Sequence, residues 1–215
     1  MSGCCGSASY TSVFGPRLAR GLAARYRRRG PDRATRRVLA VLDAQGVEGA
    51  SVLEIGGGVG ELQLELLRRG AARTTNLELV DSYEAEAEAA ALAAAAGTGG
   101  RTVRRQLDIA ADSGAVAVHD VVVLHRVVCC YPDHARLLAA AADHAGRALV
   151  FSFPPRTPVS RALLALVNGF YRVIGSSFRN YAHPPEAMLE VLRARGLRPV
   201  HACHGRFWRV AGLVR

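Results

Sequence analysis

The residues best suited to chemistry form a glycine-rich stretch, Val-Leu-Glu-Ile-Gly-Gly-Gly-Val-Gly, over residues 52–60. The stretch follows a short apolar run and precedes a helix-forming segment, the context in which such a loop has meaning. Gly56 and Gly58 permit a positive φ and leave room for a ligand against bare backbone. The helix that begins after Gly60 offers free N–H groups. The loop therefore predicts a site for a ligand held close to the main chain.

An acidic residue at the end of the next predicted strand extends this site. Glu78 lies 18 residues after Gly60, where a carboxylate can accept both hydroxyls of a ribose. Asp81 is a second acid nearby, which we interpret as the N-cap of the following helix, although the ribose assignment could shift to it. Loop and acid together predict a ligand that contains a ribose.

Two Cys-Cys dipeptides form a second candidate site. Cys4 and Cys5 lie on an N-terminal arm, and Cys129 and Cys130 follow the fourth predicted strand. If the pairs meet, their thiolates suit a soft ion, either a structural zinc or a trivalent metalloid that is the substrate. The alternative is that Cys129 and Cys130 are small buried residues. Because the five cysteines include no Cys-x-x-Cys spacing, we expect neither a disulfide framework nor a bound metal.

Alternating strand and helix patterns position these residues. From residue 51 onwards, apolar strand-like runs alternate with helix-forming segments, and the run over residues 121–124 suits a strand buried on both faces. This order predicts an α/β fold with a doubly wound, mostly parallel sheet. Residues 197–215 read as two strands, which predicts an antiparallel terminal hairpin.

The remaining segments flank this core. Residues 16–29 and 32–45 predict two helices, and we place an N-terminal arm and helical cap at residues 1–46 and the main domain at residues 47–215. Residues 154–183 contain three prolines and an amphipathic stretch, which predicts a helical lid insertion.

With Glu54 in the first position, residues 54–60 show the pattern acid-x-Gly-x-Gly-x-Gly. In this motif and over residues 51–153 the chain resembles class I S-adenosylmethionine-dependent methyltransferases. The resemblance implies a Rossmann-like seven-stranded sheet with a reversed last strand, and S-adenosyl-L-methionine as cofactor. Glu54 would position the loop or reach the methionine ammonium through water. Asp108 would accept a hydrogen bond from the adenine amino group. The implied cofactor-binding residues are Glu54, Gly56, Gly57, Gly58, Gly60, Glu78, Leu79, Asp108, Ile109 and His125.

The resemblance also implies which residues lie beside the reacting atoms. His125 would be a base or a substrate-orienting group, Arg126 would clamp an anionic substrate, and His183 would face the pocket from the lid. Structural roles are the alternative for all three. Amino-group methyltransferases that act on bases carry Asn/Asp-Pro-Pro-Tyr/Phe after the fourth strand, whereas this chain has Leu-His-Arg-Val at residues 124–127. We therefore expect direct SN2 methyl transfer to a small molecule.

Three other functions stay open. A dinucleotide-binding dehydrogenase shares the loop and the ribose acid, but it usually shows Gly-x-Gly-x-x-Gly. A thiol-, metal- or metalloid-directed methyltransferase would use the cysteine pairs. A cyclase or regulatory protein would bind the same cofactor without transferring its methyl group.

Charge and composition limit the expected partners. The 215-residue chain has a net charge of +10, and its 28 basic residues are all Arg. Because abundant Arg, Ala and Gly are typical of a GC-rich genome, we do not expect a nucleic-acid partner, although the nine Arg within residues 17–37 could attract an anionic substrate. No apolar run is long enough to span a membrane, and no signal peptide is recognisable. We expect a cytoplasmic monomer or homodimer without a membrane partner.

Overall fold

The structure is a computed structural model that describes Tyr10, residues 13–80 and residues 83–215. Its α-helices are α1 (Pro16–Arg29), α2 (Arg33–Gln45), α3 (Glu61–Arg68), α4 (Tyr83–Ala95), α5 (His134–Asp143), α6 (Pro158–Val173) and α7 (Pro185–Ala194). Its strands are β1 (Ser51–Ile55), β2 (Arg73–Glu78), β3 (Thr102–Gln106), β4 (His119–Leu124), β5 (Ala145–Phe153), β6 (Arg198–Cys203) and β7 (Arg209–Val214). Short 3-10 turns occupy Gly99–Arg101, Ser113–Ala115 and Val128–Cys130.

The strands form one sheet in the order β3-β2-β1-β4-β5-β7-β6. Strands β1 to β5 pair in parallel. Strand β7 is antiparallel to both β5 and β6. The order reverses between β1 and β4, and this is the point of an open α/β sheet where ligands bind beyond the carboxyl ends of the strands. The predicted doubly wound sheet and its antiparallel terminal hairpin are confirmed.

Both faces of the sheet are buried at its central strands, as the continuous apolar run in β4 predicts. Val121 and Val123 pack into the core on the side covered by α2 and α3. Val122 and Leu124 pack into the core on the other side, with α5 and α7. Successive side chains of a strand point to opposite faces, so a strand between two helical layers must be apolar throughout.

The two N-terminal helices have different surroundings. Helix α2 packs directly on the sheet through Val38, Leu39, Val41 and Leu42. Helix α1 lies against α3 and α4, with Ala19, Ala23 and Tyr26 in a smaller apolar cluster. The side chain of Asp32 caps α2 by accepting hydrogen bonds from the backbone N–H groups of Ala34 and Thr35.

The predicted lid contains helix α6 and the loop that follows it. None of the residues in Pro158–Val173, all of which the structure describes, is buried. In the described part of the chain, no helix combines the length and the apolar character needed to cross a bilayer.

Candidate active site

The glycine-rich loop joins β1 to α3 and forms one wall of a cavity at the carboxyl edge of the sheet. Gly56, Gly58 and Gly60 have φ of 69°, 59° and 77°, a region that favours glycine. A Cβ atom on Gly56 would lie 2.5 Å from Cγ2 of Val127. A Cβ atom on Gly58 would have no heavy atom within 4 Å. Packing therefore requires glycine at position 56, whereas Gly58 leaves bare backbone open to the cavity.

Glu54 lies directly beneath the loop and lines the same cavity. It is only 2% exposed, and among the described residues its Oε2 atom has no hydrogen-bond partner. Burial, reinforced by the negative charges of Glu78 and Glu61, raises the pKa of Glu54 to about 8. A buried carboxyl oxygen without a donor is costly. A cationic donor in the cavity would satisfy this oxygen.

Glu78 is tied to the loop from the end of β2. Its Oε1 atom accepts a hydrogen bond from the backbone N–H of Gly58, and Asn76 Oδ1 accepts one from Gly57 at 2.9 Å. Burial raises the pKa of Glu78, while the neighbouring Arg104 and the Gly58 N–H favour its charged form. Glu78 is thus the acid that holds the loop, and it lines the cavity.

Arg104 is a cavity residue that the sequence reasoning missed. It lies on β3 opposite Asn76 in the strand register, and its guanidinium donates a hydrogen bond to the carbonyl oxygen of Gly58. The available signal was its place on a strand next to β2, close to the edge that carries Glu78. Glu78 and Arg104, from neighbouring strands, therefore fix the N–H group and the carbonyl group of Gly58, respectively.

Asp108 and Ile109 follow β3 and line the cavity, as does Leu79 after β2. The Asp108 carboxylate accepts from the backbone N–H of Ala110 at 3.0 Å. It also accepts from the hydroxyl of Tyr131 at 2.9 Å, a contact that the sequence did not predict. Ile109 is buried in the core on the α5 side of the sheet. The phenol of Tyr131 fixes the carboxylate of Asp108. That carboxylate can accept a hydrogen bond from the edge of a flat ring, and the side chain of Ile109 can pack against the face of the ring.

His125 follows β4 and reaches the cavity. Its Nδ1 atom lies 2.9 Å from Oγ of Ser152, and its Nε2 atom lies 3.3 Å from Oγ1 of Thr35. Burial and the positive charge of Arg126 lower the pKa of His125 to about 3. The imidazole is therefore neutral at neutral pH, and each ring nitrogen has a hydroxyl neighbour.

Arg126 also lines the cavity, but its charge is already paired. Its guanidinium forms a 2.6 Å ion pair with Asp32 and lies 5.5 Å from the ring centroid of Trp208. Asp32 also pairs with Arg25 at 2.8 Å. Although burial opposes its ionisation, the Thr35 N–H and the two guanidinium groups hold the pKa of Asp32 well below its usual range. The clamp role of Arg126 stays a prediction: Asp32 engages one nitrogen of the guanidinium, and the buried Nε atom has no hydrogen-bond partner among the described residues.

An apolar wall from the N-terminal cap completes the cavity. The contributing side chains are those of Tyr10, Phe14, Leu18, Ala19 and Leu22. The sequence placed a cap here but did not predict which of its residues face the site. Phe14 and Leu18 are partly exposed, at 37% and 40%, so they lie where the cavity meets solvent.

His183 does not line the cavity, and of the two cysteine pairs only Cys129 and Cys130 lie within the described residues. His183 is outside the cavity lining, because its Nε2 atom donates to the carbonyl oxygen of Tyr131 at 3.0 Å and its ring packs on His134 at 4.3 Å. Cys130 lines the cavity, with its Sγ atom 3.5 Å from that of Cys129. Cys4, Cys5 and Asp81 lie outside the described residues. Within the described ranges, no three His, Cys, Asp or Glu side chains are grouped so as to hold a metal ion.

Comparison with known proteins identifies the fold that contains this cavity. No protein-family model and no curated protein sequence matches the chain. Magnesium protoporphyrin IX methyltransferase from Synechocystis PCC 6803, solved with bound SAH, superposes with a TM-score of 0.67 at 21% identity, covering 85% of this chain and 81% of that one. The chain has the fold of this methyltransferase.

Two further methyltransferases share the fold at lower identity. A TehB-like SAM-dependent methyltransferase from Corynebacterium glutamicum gives a TM-score of 0.62 at 18% identity, covering 94% of this chain and 100% of that one. Geranyl diphosphate C-methyltransferase from Streptomyces coelicolor gives a TM-score of 0.63 at 13% identity, covering 84% of this chain and 79% of that one. The predicted Rossmann-like methyltransferase fold is therefore confirmed.

Proposed function

We propose that this protein transfers the methyl group of S-adenosyl-L-methionine to a small-molecule acceptor. One observation carries the proposal: a single cavity brings together the unpartnered oxygen of Glu54, the open backbone at Gly58, and the carboxylates of Glu78 and Asp108. Glu54 suits an ammonium group, and the open backbone at Gly58 suits a ligand chain lying against it. Glu78 suits a ribose, and Asp108 suits an adenine amino group. The cofactor supplies an electrophilic methyl group for direct displacement.

The residues fit this cofactor chemically. Glu54 would accept from the methionine ammonium, which would also favour the charged form of a carboxyl that burial keeps protonated. Glu78 would accept from the ribose with the oxygen capacity left after its bond to Gly58. Asp108 and Ile109 would hold the adenine edge and face.

The acceptor, in our proposal, has an apolar body. Phe14, Leu18 and Leu22 form the cavity wall contributed by α1 and the residues before it. Arg25 and Arg126 both pair with Asp32, and Arg25 also pairs with Glu61, so two carboxylates match the two guanidinium groups. Burial of an apolar acceptor against this wall excludes water, and fixing the acceptor atom in line with the methyl group accounts for most of the rate enhancement such an enzyme needs.

His125 would act by orienting the acceptor rather than by taking a proton from it. A side chain with a pKa of about 3 is a weak base at neutral pH. Its neutral ring is held between Ser152 and Thr35, which fixes its position in the cavity.

The test is turnover. Purified protein is incubated with methyl-labelled S-adenosylmethionine and fractionated small-molecule extract, and both S-adenosylhomocysteine and labelled product are quantified. We expect label in an apolar product and none with Gly58→Val. Cofactor binding without any S-adenosylhomocysteine would instead favour the cyclase or regulatory alternative.

A further inference from the structure

Helix α6 carries an apolar face that the rest of the described chain does not cover. Six of the large apolar side chains on or just after this helix are between 49% and 85% exposed. At 3.6 residues per turn they fall within an arc of about 100°. We call them the outer face of α6: Val159, Leu163, Leu166, Phe170, Val173 and Ile174. Contiguous exposed apolar surface of this kind marks an interaction site.

The other side of the helix is fixed to the protein. Asn168 exchanges two hydrogen bonds of 2.8 Å with the backbone of Asn180. Tyr171 packs edge-on against Phe178 with ring centroids 5.2 Å apart. The outer face is therefore held outward by polar and aromatic contacts on a different side of α6.

The charge around the helix identifies the kind of partner. Residues 154–183 contain four Arg, at positions 156, 161, 172 and 179, and no Asp or Glu. By the helical period, Arg161 and Arg172 lie on the side of α6 opposite the outer face. An apolar face backed by arginines is the pattern of a helix that lies in the plane of an anionic membrane surface.

A second copy of the chain fits the outer face less well. Because residues 154–183 contain no Asp or Glu, the same segment of a second copy would offer these arginines no opposite charge. Helix α6 has 16 residues and is about 24 Å long, which is short for an interface that has to bury roughly 1,200 Å².

We propose that α6 binds an anionic lipid bilayer, with its outer face in the boundary between headgroups and acyl chains. The expectation of no membrane partner rested on the lack of a long apolar run, which excludes a spanning helix but not an interfacial one. Through Tyr171 and Phe178, α6 is connected to Tyr10 at the cavity. Binding would thus bring the cavity close to a lipid surface. This proposal does not depend on the methyl-transfer proposal.

The test is flotation of the full chain with vesicles. Two compositions are compared at about 0.15 M salt: phosphatidylcholine alone, and phosphatidylcholine with about 30% phosphatidylglycerol. We expect at least about 10-fold more protein on the anionic vesicles, and a loss of about 10-fold or more in the Leu166→Glu/Phe170→Glu variant. Val118→Glu is the control for an acid added at an exposed apolar position elsewhere, and it should bind like the wild type: Val118 is 61% exposed and precedes β4, at the opposite end of the parallel strands from α6.

Three results would overturn the proposal: no binding to anionic vesicles, equal binding by Leu166→Glu/Phe170→Glu, or a dimer in lipid-free sedimentation that this variant dissociates. The last would show that a second copy covers the outer face. Circular dichroism of both variants establishes that they are folded, which is expected because all three substituted side chains are exposed.

Discussion

Arg126 and Asp32 are 94 positions apart in the chain and form a 2.6 Å ion pair. Arg126 has a φ of 62°, which is uncommon for a residue with a side chain. Asp32 is the N-cap of α2. The pair therefore joins the loop after β4, which carries His125, to the start of the helix that carries Thr35. The link thus anchors the loop whose His125 and Arg126 line the cavity.

Replacing Asp32 tests the link. Asp32→Asn keeps an effective N-cap but removes the charge that faces Arg25 and Arg126. We expect the free energy of unfolding to fall by about 1–2 kcal/mol in urea titrations, since Arg126 then keeps partly buried charge without a carboxylate partner and Arg25 keeps only Glu61. Asp43→Asn is the control, because Asp43 is about half exposed where it pairs with Arg69. Equal losses in the two variants would show that the link adds nothing.

Glu54 should couple stability to pH. Its pKa is about 8 in the folded protein against 4.5 for a free side chain, so between these values the folded state binds more protons than the unfolded state. Stability should therefore fall as the pH rises from about 4.5 to about 8. Glu54→Gln removes this contribution. In urea titrations at several pH values, its free energy of unfolding should therefore increase relative to that of the wild type as the pH rises. Parallel pH profiles would contradict the assignment.

The same residue should couple cofactor binding to proton release. An ammonium against Glu54 favours the charged carboxylate, so affinity for S-adenosylhomocysteine should rise with pH up to about 8, by at most about 10-fold per unit. Calorimetry in two buffers of different ionisation enthalpy measures the released proton. Glu54→Gln should bind more weakly and release no proton at this site.

His125→Gln should lower turnover and leave cofactor affinity nearly unchanged. Because the pKa of His125 is about 3, we expect no ionisation of this residue near pH 6.5 in the profile of kcat/KM. His183→Ala is the control and should keep wild-type turnover, since His183 lies outside the cavity lining. A wild-type ionisation near pH 6.5 that His125→Gln abolishes would restore His125 as a general base.

The cysteine pair gives a further prediction. Cys129 and Cys130 are adjacent in sequence and 3.5 Å apart at sulfur, and Cys130 reaches the cavity. Elemental analysis of purified protein should show no stoichiometric metal, and Cys129→Ser should affect activity only through packing. Methylation of arsenite that disappears in Cys4→Ser/Cys5→Ser would favour the metalloid-directed alternative and bring the N-terminal arm into the active site.

The fold and the cofactor side of the cavity could be predicted because their signals are local. The apolar run of β4 and the loop from Glu54 to Gly60 each lie within ten residues of sequence. Arg104, Tyr131 and Thr35 were missed because their roles depend on contacts between distant segments. Thr35, for example, reaches His125 across 90 positions. The outer face of α6 shows the same limit, because periodicity reveals an amphipathic helix but not whether its apolar side is covered.

Titration calorimetry with S-adenosylhomocysteine tests the central claim, that this cavity binds the cofactor, most directly. The wild type should bind one equivalent. Glu78→Ala should weaken binding by about 30- to 1,000-fold, or 2–4 kcal/mol, and Asp81→Ala should not. Gly58→Val should abolish binding, whereas Gly97→Val, with a similar positive φ and the same open space around its Cβ, should bind like the wild type. Absence of binding by the wild type, or unchanged affinity in both Glu78→Ala and Gly58→Val, would contradict the account.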